Sequence, residues 1–282
     1  LMVDRVATPV EVLRLLIESE KDLNVCGDDS HKWTLLHYLC HVGDQGAVEQ
    51  VIARVDVPTL REKNALGDCA LMLAMKSAKH GSTSRHHNHH QSSSAAREKI
   101  CFALTKVANV NETDRFGDGL LHIAIKQGYR QVARRLLDAK ADPAAVDSAG
   151  DTALHVAIKV GAFGLAKWIV ARCEPHERAR FVNTQDGQCG DTALTLAIKF
   201  REEVLALYLL QHGAQADVLP QKWDFGANIG VEDYPLHVAV KMGQRNVAAA
   251  LAETMRVEDL AKKDSLGVPF LVLACRYGMI EL

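Results

Sequence analysis

A chain of 282 residues that is 48% hydrophobic and 24% charged is long and apolar enough to bury one large core or two medium ones, which excludes disorder for its bulk. Its 33 Lys and Arg nearly balance 35 Asp and Glu, so no overall basic field draws it to nucleic acid or anionic lipid, and any charge-based recognition has to be local. No apolar run approaches the roughly 18 residues of a spanning helix, and the N-terminus lacks the pattern of a secretory signal. The cysteines (Cys26, Cys40, Cys69, Cys101, Cys173, Cys189, Cys275) are odd in number and scattered, without a CxxC pair. That fits neither a disulfide framework nor a zinc finger and predicts a reducing compartment, the cytoplasm.

The elements follow from internal repetition. GDGLLHIAIKQG (Gly117 to Gly128) and GDTALHVAIKVG (Gly150 to Gly161) are the two best copies. Their relatives begin at Lys32, Gly67, Gly190, Glu232 and Gly267, and the copies place Leu36, Leu71, Leu121, Leu154, Leu194, Leu236 and Leu271 in one column. In chain order, Thr8 before Pro9 opens a helix to about Val25, the second helix of a preceding repeat. Short Ala-rich helices are then expected near residues 35 to 42, 70 to 78, 120 to 127, 153 to 160, 193 to 200, 235 to 242 and 270 to 277. Before them, Asp or Asn (Asp29, Asn64, Asp114, Asp147, Asp264) and Gly form a turn, and Thr34, Thr152 and Thr192 stand where a hydroxyl caps a helix. Each is followed by a second helix with apolar residues at helical spacing, such as Val132, Leu136 and Leu137, or Leu205, Leu209 and Leu210.

Three insertions interrupt the period. Residues 80–94, rich in His and Ser (His80, His86, His87, His89, His90), read as a disordered loop between the two helices of the second repeat; a metal role is not expected of it. Residues 173–190 lengthen the link to the fifth repeat, and residues 215–233 carry Trp223 and Phe225 among turn formers. The chain starts at Leu1 rather than Met and stops within a repeat, so it is expected to be a fragment of a longer protein.

The stretches Asp114 to Ala124 and Asp147 to Ala157 match the D-x-x-G-x-T-P-L-H-x-A core of the ankyrin repeat, which nearly the whole chain resembles. The departures are Ala or Leu in place of Pro, Met72, Thr195 and Val272 in the His column, and Lys32 and Glu232 in the Gly column. The resemblance implies a single all-α domain over residues 1–282, a solenoid of helix-turn-helix units with β-hairpin-like tips, about seven in number, the first and last incomplete. It also implies that the recurring His37, His122, His155 and His237 link neighbouring repeats by hydrogen bonds. Asn24 resembles a site of asparaginyl hydroxylation in such repeats, with Leu23 in place of the usual Val; an unmodified turn Asn is the expectation.

Function is expected to be binding of another protein or peptide through the concave face and the inserted loops, with no enzyme activity, cofactor, metal, nucleic acid or membrane insertion. No Walker A, GxGxxG or nucleophile-elbow context is present. The positions expected to meet a partner are Trp33, Arg115, Phe116, Phe200, Met242, Trp223 and Phe225, with Lys126, Lys159, Lys199 and Lys241 from a double ladder. In that ladder Asp68, Asp118, Asp151, Asp191 and Asp233 follow the Gly column, and Lys76, Lys126, Lys159, Lys199, Lys241 and Arg276 close the inner helices. Mutual compensation, each exposed pair contributing about 0 to 1 kcal/mol, is favoured for the columns as a whole over engagement of an acidic peptide. A monomer is favoured. The alternative is a regulatory or targeting domain of a larger enzyme or endosomal membrane-trafficking adaptor, since such adaptors carry long, insertion-rich ankyrin arrays similar to this one.

Overall fold

The computed structural model describes residues 32–77, 94–219 and 233–279. The helix expected before Val25, Asn24, the His-rich loop, Trp223 and Phe225 all lie outside the described residues. The chain divides between Asp142 and Pro143 into two compact units. The first unit contains α1 (Leu35–Val42), α2 (Gln45–Arg54), α3 (Val57–Leu60), α4 (Ala70–Lys76), α5 (Ser94–Leu104), α6 (Leu120–Lys126) and α7 (Arg130–Asp138). In the second are α8 (Ala153–Lys159), α9 (Phe163–Arg172), α10 (Pro175–Val182), α11 (Ala193–Lys199), α12 (Glu203–Gln211), α13 (Pro235–Lys241), α14 (Arg245–Thr254), α15 (Val257–Leu260) and α16 (Phe270–Arg276). Helix is the regular secondary structure of the described residues, and all seven expected inner helices are present.

Most inner helices have only seven residues, too short to persist alone, so packing and caps hold them. In the first unit α1, α4 and α6 pack in a row, backed by α2, α5 and α7; in the second α8, α11, α13 and α16 do so, backed by α9, α12 and α14. The leucine column is the centre of each row: Leu36, Leu71, Leu121, Leu154, Leu194 and Leu236 are buried to 3% exposure or less. Leu271 is 62% exposed, because among the described residues no inner helix follows α16 to cover it. Ala74, Ala124, Ala157, Ala197 and Ala239, buried three residues after each leucine, let adjacent helices approach closely.

Between outer and inner helices the chain makes a narrow tip closed by one antiparallel bridge, as in Lys63 with Cys69, Thr113 with Gly119, and Gln185 with Thr192. The tips stack within each unit. Gly150 has φ +78°, and a Cβ there would come within 2.7 Å of the Gly187 Cα atom in the next tip; one on Gly187 would reach 2.1 Å from the Ala149 carbonyl oxygen. Gly187→Ala is therefore expected to cost about 1 to 3 kcal/mol, the usual penalty of forced overpacking, measured by urea denaturation. An unchanged midpoint would contradict this tip-to-tip contact.

The insertion of residues 173–190 is partly helical. Pro175 opens α10 at its first turn, where the missing N–H is no loss, and Phe181 and Val182 are buried at its end. No helix of the described residues is long and apolar enough to cross a membrane.

Candidate protein-binding surface

The Asp and Lys ladders meet within each repeat. Each lysine at the end of an inner helix reaches back to the aspartate that precedes that helix: Lys126 to Asp118 at 2.8 Å, Lys159 to Asp151 at 2.8 Å, Lys199 to Asp191 at 2.6 Å and Lys241 to Asp233 at 2.7 Å. Three lysines also hold the turn aspartate of the following repeat: Lys76 with Asp114, Lys159 with Asp186 and Lys241 with Asp264, each at 2.9 Å. The turn aspartate spends its other oxygen on its own tip. Oδ1 of Asp114 accepts the N–H groups of Phe116 and Asp118, and Oδ1 of Asp264 those of Leu266 and Val268. In the fifth repeat the turn acid is Asp186, four residues before Gly190 instead of three, and it serves Cys189 and Asp191 in the same way. The extra residue hid Asp186 from the column found in the sequence.

These pairs are more buried than the exposed ladder the sequence led us to expect. Asp68, Asp151, Asp186, Asp191 and Asp233 are all buried. Burial works against the Lys159 ammonium, but the hydrogen bonds it donates to Asp151 and Asp186 outweigh it and keep its pKa above the ordinary lysine value. In the same balance, burial opposes ionisation of Asp186, Asp233 and Asp264, yet the Lys159 and Lys241 ammoniums hold these carboxyls below the usual range. The ladder neutralises itself inside the frame, and most of its charge is committed before any partner arrives.

The recurring histidines are linkers where their contacts are described. Thr34 Oγ1 and the Thr34 N–H flank His37 Nδ1, while His37 Nε2 donates to the Asp68 carbonyl of the next repeat at 3.1 Å. His155 repeats this with Thr152 and the Thr184 carbonyl. An Nδ1 that accepts and an Nε2 that donates require the neutral ring. Burial accordingly lowers the pKa of His37, His155 and His237 from the ordinary 6.5. Below pH 6.5 the unfolded chain takes up protons that the folded rings refuse, so stability present above pH 6.5 is lost as pH falls. The melting temperature is expected to drop between pH 7.5 and pH 5.5; a rise would contradict neutral linkers.

The expected contact residues are differently placed. Phe116 is 62% exposed at a tip of the first unit, with the Arg115 guanidinium stacked 4.6 Å over its ring. Phe200 is 46% exposed at the end of α11, and Met242, at the end of α13, is half-buried. Trp33 is half-buried, its ring edge-on to Tyr38 and His41. Lys126, Lys159, Lys199 and Lys241 are the ion-paired lysines described above, Lys199 the most exposed at 44%. Burial pushes the Cys69 thiol up to about 11 and Cys101 up to about 12, far from the thiolate a nucleophile needs.

A family profile described as Ankyrin repeats (3 copies) matches residues 90–180, across the third and fourth repeats. That match places ankyrin repeats within residues 90–180. The chain is 29% identical to human Rabankyrin-5 over 173 residues, 60% of the chain but only 14% of that relative's length. Among solved structures, the ankyrin repeat domain of Bcl-3 superposes with a TM-score of 0.60 at 21% identity, covering 86% of this chain and 95% of that one. A chain from a complex of a Bdellovibrio bacteriovorus predatory endopeptidase with an immunity protein superposes with a TM-score of 0.53 at 21% identity, covering 78% of this chain and 97% of that one. These structural likenesses establish the ankyrin fold, whose repeats generally serve as protein-protein interaction modules.

Proposed function

We propose that this ankyrin chain is a protein-binding module that recognises a partner protein or peptide on its hairpin tips, its inner-helix ends and the insertion bearing Trp223 and Phe225. The carrying observation is the division of labour on its surface. Acids and bases of the frame satisfy one another, while Phe116 and Phe200 keep large apolar surfaces in water at 62% and 46% exposure. The exposed Phe116 under the Arg115 guanidinium, and the exposed Phe200 followed in sequence by Arg201, are side-chain types enriched at protein interfaces. Arg115 then sets register at the margin, the ladder lysines being held by their aspartates. The near-zero net charge supports a protein partner over nucleic acid, and the scattered cysteines support a cytoplasmic location.

The test is quantitative affinity capture from cell extract with the wild-type chain beside Phe116→Ser/Phe200→Ser. Loss of the captured proteins at an unchanged melting temperature is the expected result. Undiminished capture of every protein would overturn the reading. A second reading makes the repeats a targeting segment of a longer adaptor or enzyme, and the match to a small part of Rabankyrin-5 favours it. The two share the same surface and differ in what else the polypeptide contains.

A further inference from the structure

We propose that the ends of the inner helices in the second unit form a docking strip for an acidic peptide segment bearing apolar side chains, centred on Phe200 and Arg201. This rests on the protein-binding reading above. The register comes first. The residue after each ladder lysine or arginine is Val160, Phe200, Met242 and Tyr277, on four inner helices packed in consecutive order. Val160, Phe200 and Tyr277 are each close to half exposed, so an apolar column runs from α8 to α16. In the first unit the equivalent positions are Val42, Ser77 and Gln127, mostly polar. Neighbouring helix axes stand about 10 Å apart, so the column spans roughly 30 Å, the reach of about nine extended residues.

Backbone strain singles out the centre of the strip. The next residue in the other three repeats of this unit is Gly161, Gly243 or Gly278, all at positive φ. In the fifth repeat it is Arg201, held at φ 59°. A side chain in the left-handed region carries a steric cost that glycine avoids, and such outliers gather where a side chain is needed at one place. Here that position, next in sequence to the exposed Phe200, carries an exposed arginine instead of glycine.

Charge chooses the occupant. Lys159, Lys199 and Lys241 are committed to aspartates. The guanidiniums of Arg201, Arg245 and Arg276, on three consecutive repeats, have no carboxylate partner among the described residues. The acids next to Arg201 in sequence are Glu202 and Glu203, and Glu203 accepts from the Asn246 amide. Three forked donors against the two carboxylates of Glu202 and Glu203, along an apolar column, leave a cationic excess that fits a peptide alternating Asp or Glu with Leu, Phe or Trp. A phosphate polymer would satisfy the arginines but leave the column wet.

The experiment selects binders to the whole chain from a displayed library of random nine-residue peptides, then measures the affinities of synthetic copies. Enriched sequences are expected to combine acidic and large apolar residues. They should bind Phe200→Ser and Arg201→Gly at least tenfold more weakly, while Arg201→Gly melts no lower than wild type because strain is relieved. Peptides without acidic residues, or equal binding by Arg201→Gly, would overturn the strip and leave the protein-binding reading standing. Equal competition by a short single-stranded DNA would reassign the arginines to a polyanion and overturn the peptide as occupant. Failure of the wild-type chain to enrich any peptide would count against both readings.

Discussion

Leu154→Ala is expected to lower stability by about 2 to 5 kcal/mol, the range for emptying a leucine-sized space in a packed core. Leu154 is fully buried in α8, a helix of seven residues that packs on α9 and α11. Two turns of helix supply little stability of their own, so removing the side chain that anchors them leaves a cavity the short helix cannot close. Leu271→Ala is the matched control. It occupies the same column at 62% exposure, and its loss should stay within about 0.5 kcal/mol. Urea denaturation with unchanged slopes reads both changes. Equal losses at the two positions would mean that the repeat register is wrong.

Lys159→Met is expected to cost about 3 kcal/mol at neutral pH. The methionine keeps most of the apolar stem but leaves two carboxylates, Asp151 and Asp186, whose side chains are only 6% and 2% exposed. Breaking a buried pair by deleting one partner costs about 3 to 5 kcal/mol, and partial exposure of the Lys159 side chain places this case at the lower end. The pH dependence has a definite sign. The folded lysine pKa is raised, so its contribution is complete below the ordinary value of 10.5 and is lost as pH rises through the folded value. The Asp186 pKa is lowered, so its share is complete above 3.8 and disappears as pH falls through the folded value. Converting both aspartates to Asn in the Lys159→Met background should recover most of the loss. Asn64 already fills the turn position of the second repeat and accepts the Leu66 and Asp68 N–H groups, so the amide keeps the tip intact. No recovery in the triple variant would contradict the charge account.

The inner helices were legible because each repeat writes the same local code: a turn acid, a glycine, a hydroxyl or its substitute, a leucine and an alanine. Thr34 and Thr192 cap their helices by accepting the N–H groups of His37 and Thr195, which one sequence position predicts from the next. Contacts between repeats were harder to read. The Lys76 to Asp114 pair spans 38 residues and Lys159 to Asp186 spans a helical insertion, so neither has a fixed offset to search for. The sequence showed two ladders but not that their rungs were buried, because burial depends on the neighbouring repeat. Arg201 carried a signal that went unread: it stands in a column that glycine fills in five of the seven repeats, and its positive φ emerges only with the backbone.

The central claim is that the frame satisfies its own charges and leaves recognition to the tips and inner-helix ends. Amide hydrogen exchange of the chain alone and bound to a captured partner tests it most directly. The account predicts slowed exchange at Arg115 to Asp118 or around Val160, Phe200 to Glu202 and Met242 to Gln244, with the outer helices α2, α5, α7, α9, α12 and α14 unchanged. Protection confined to those outer helices would contradict it.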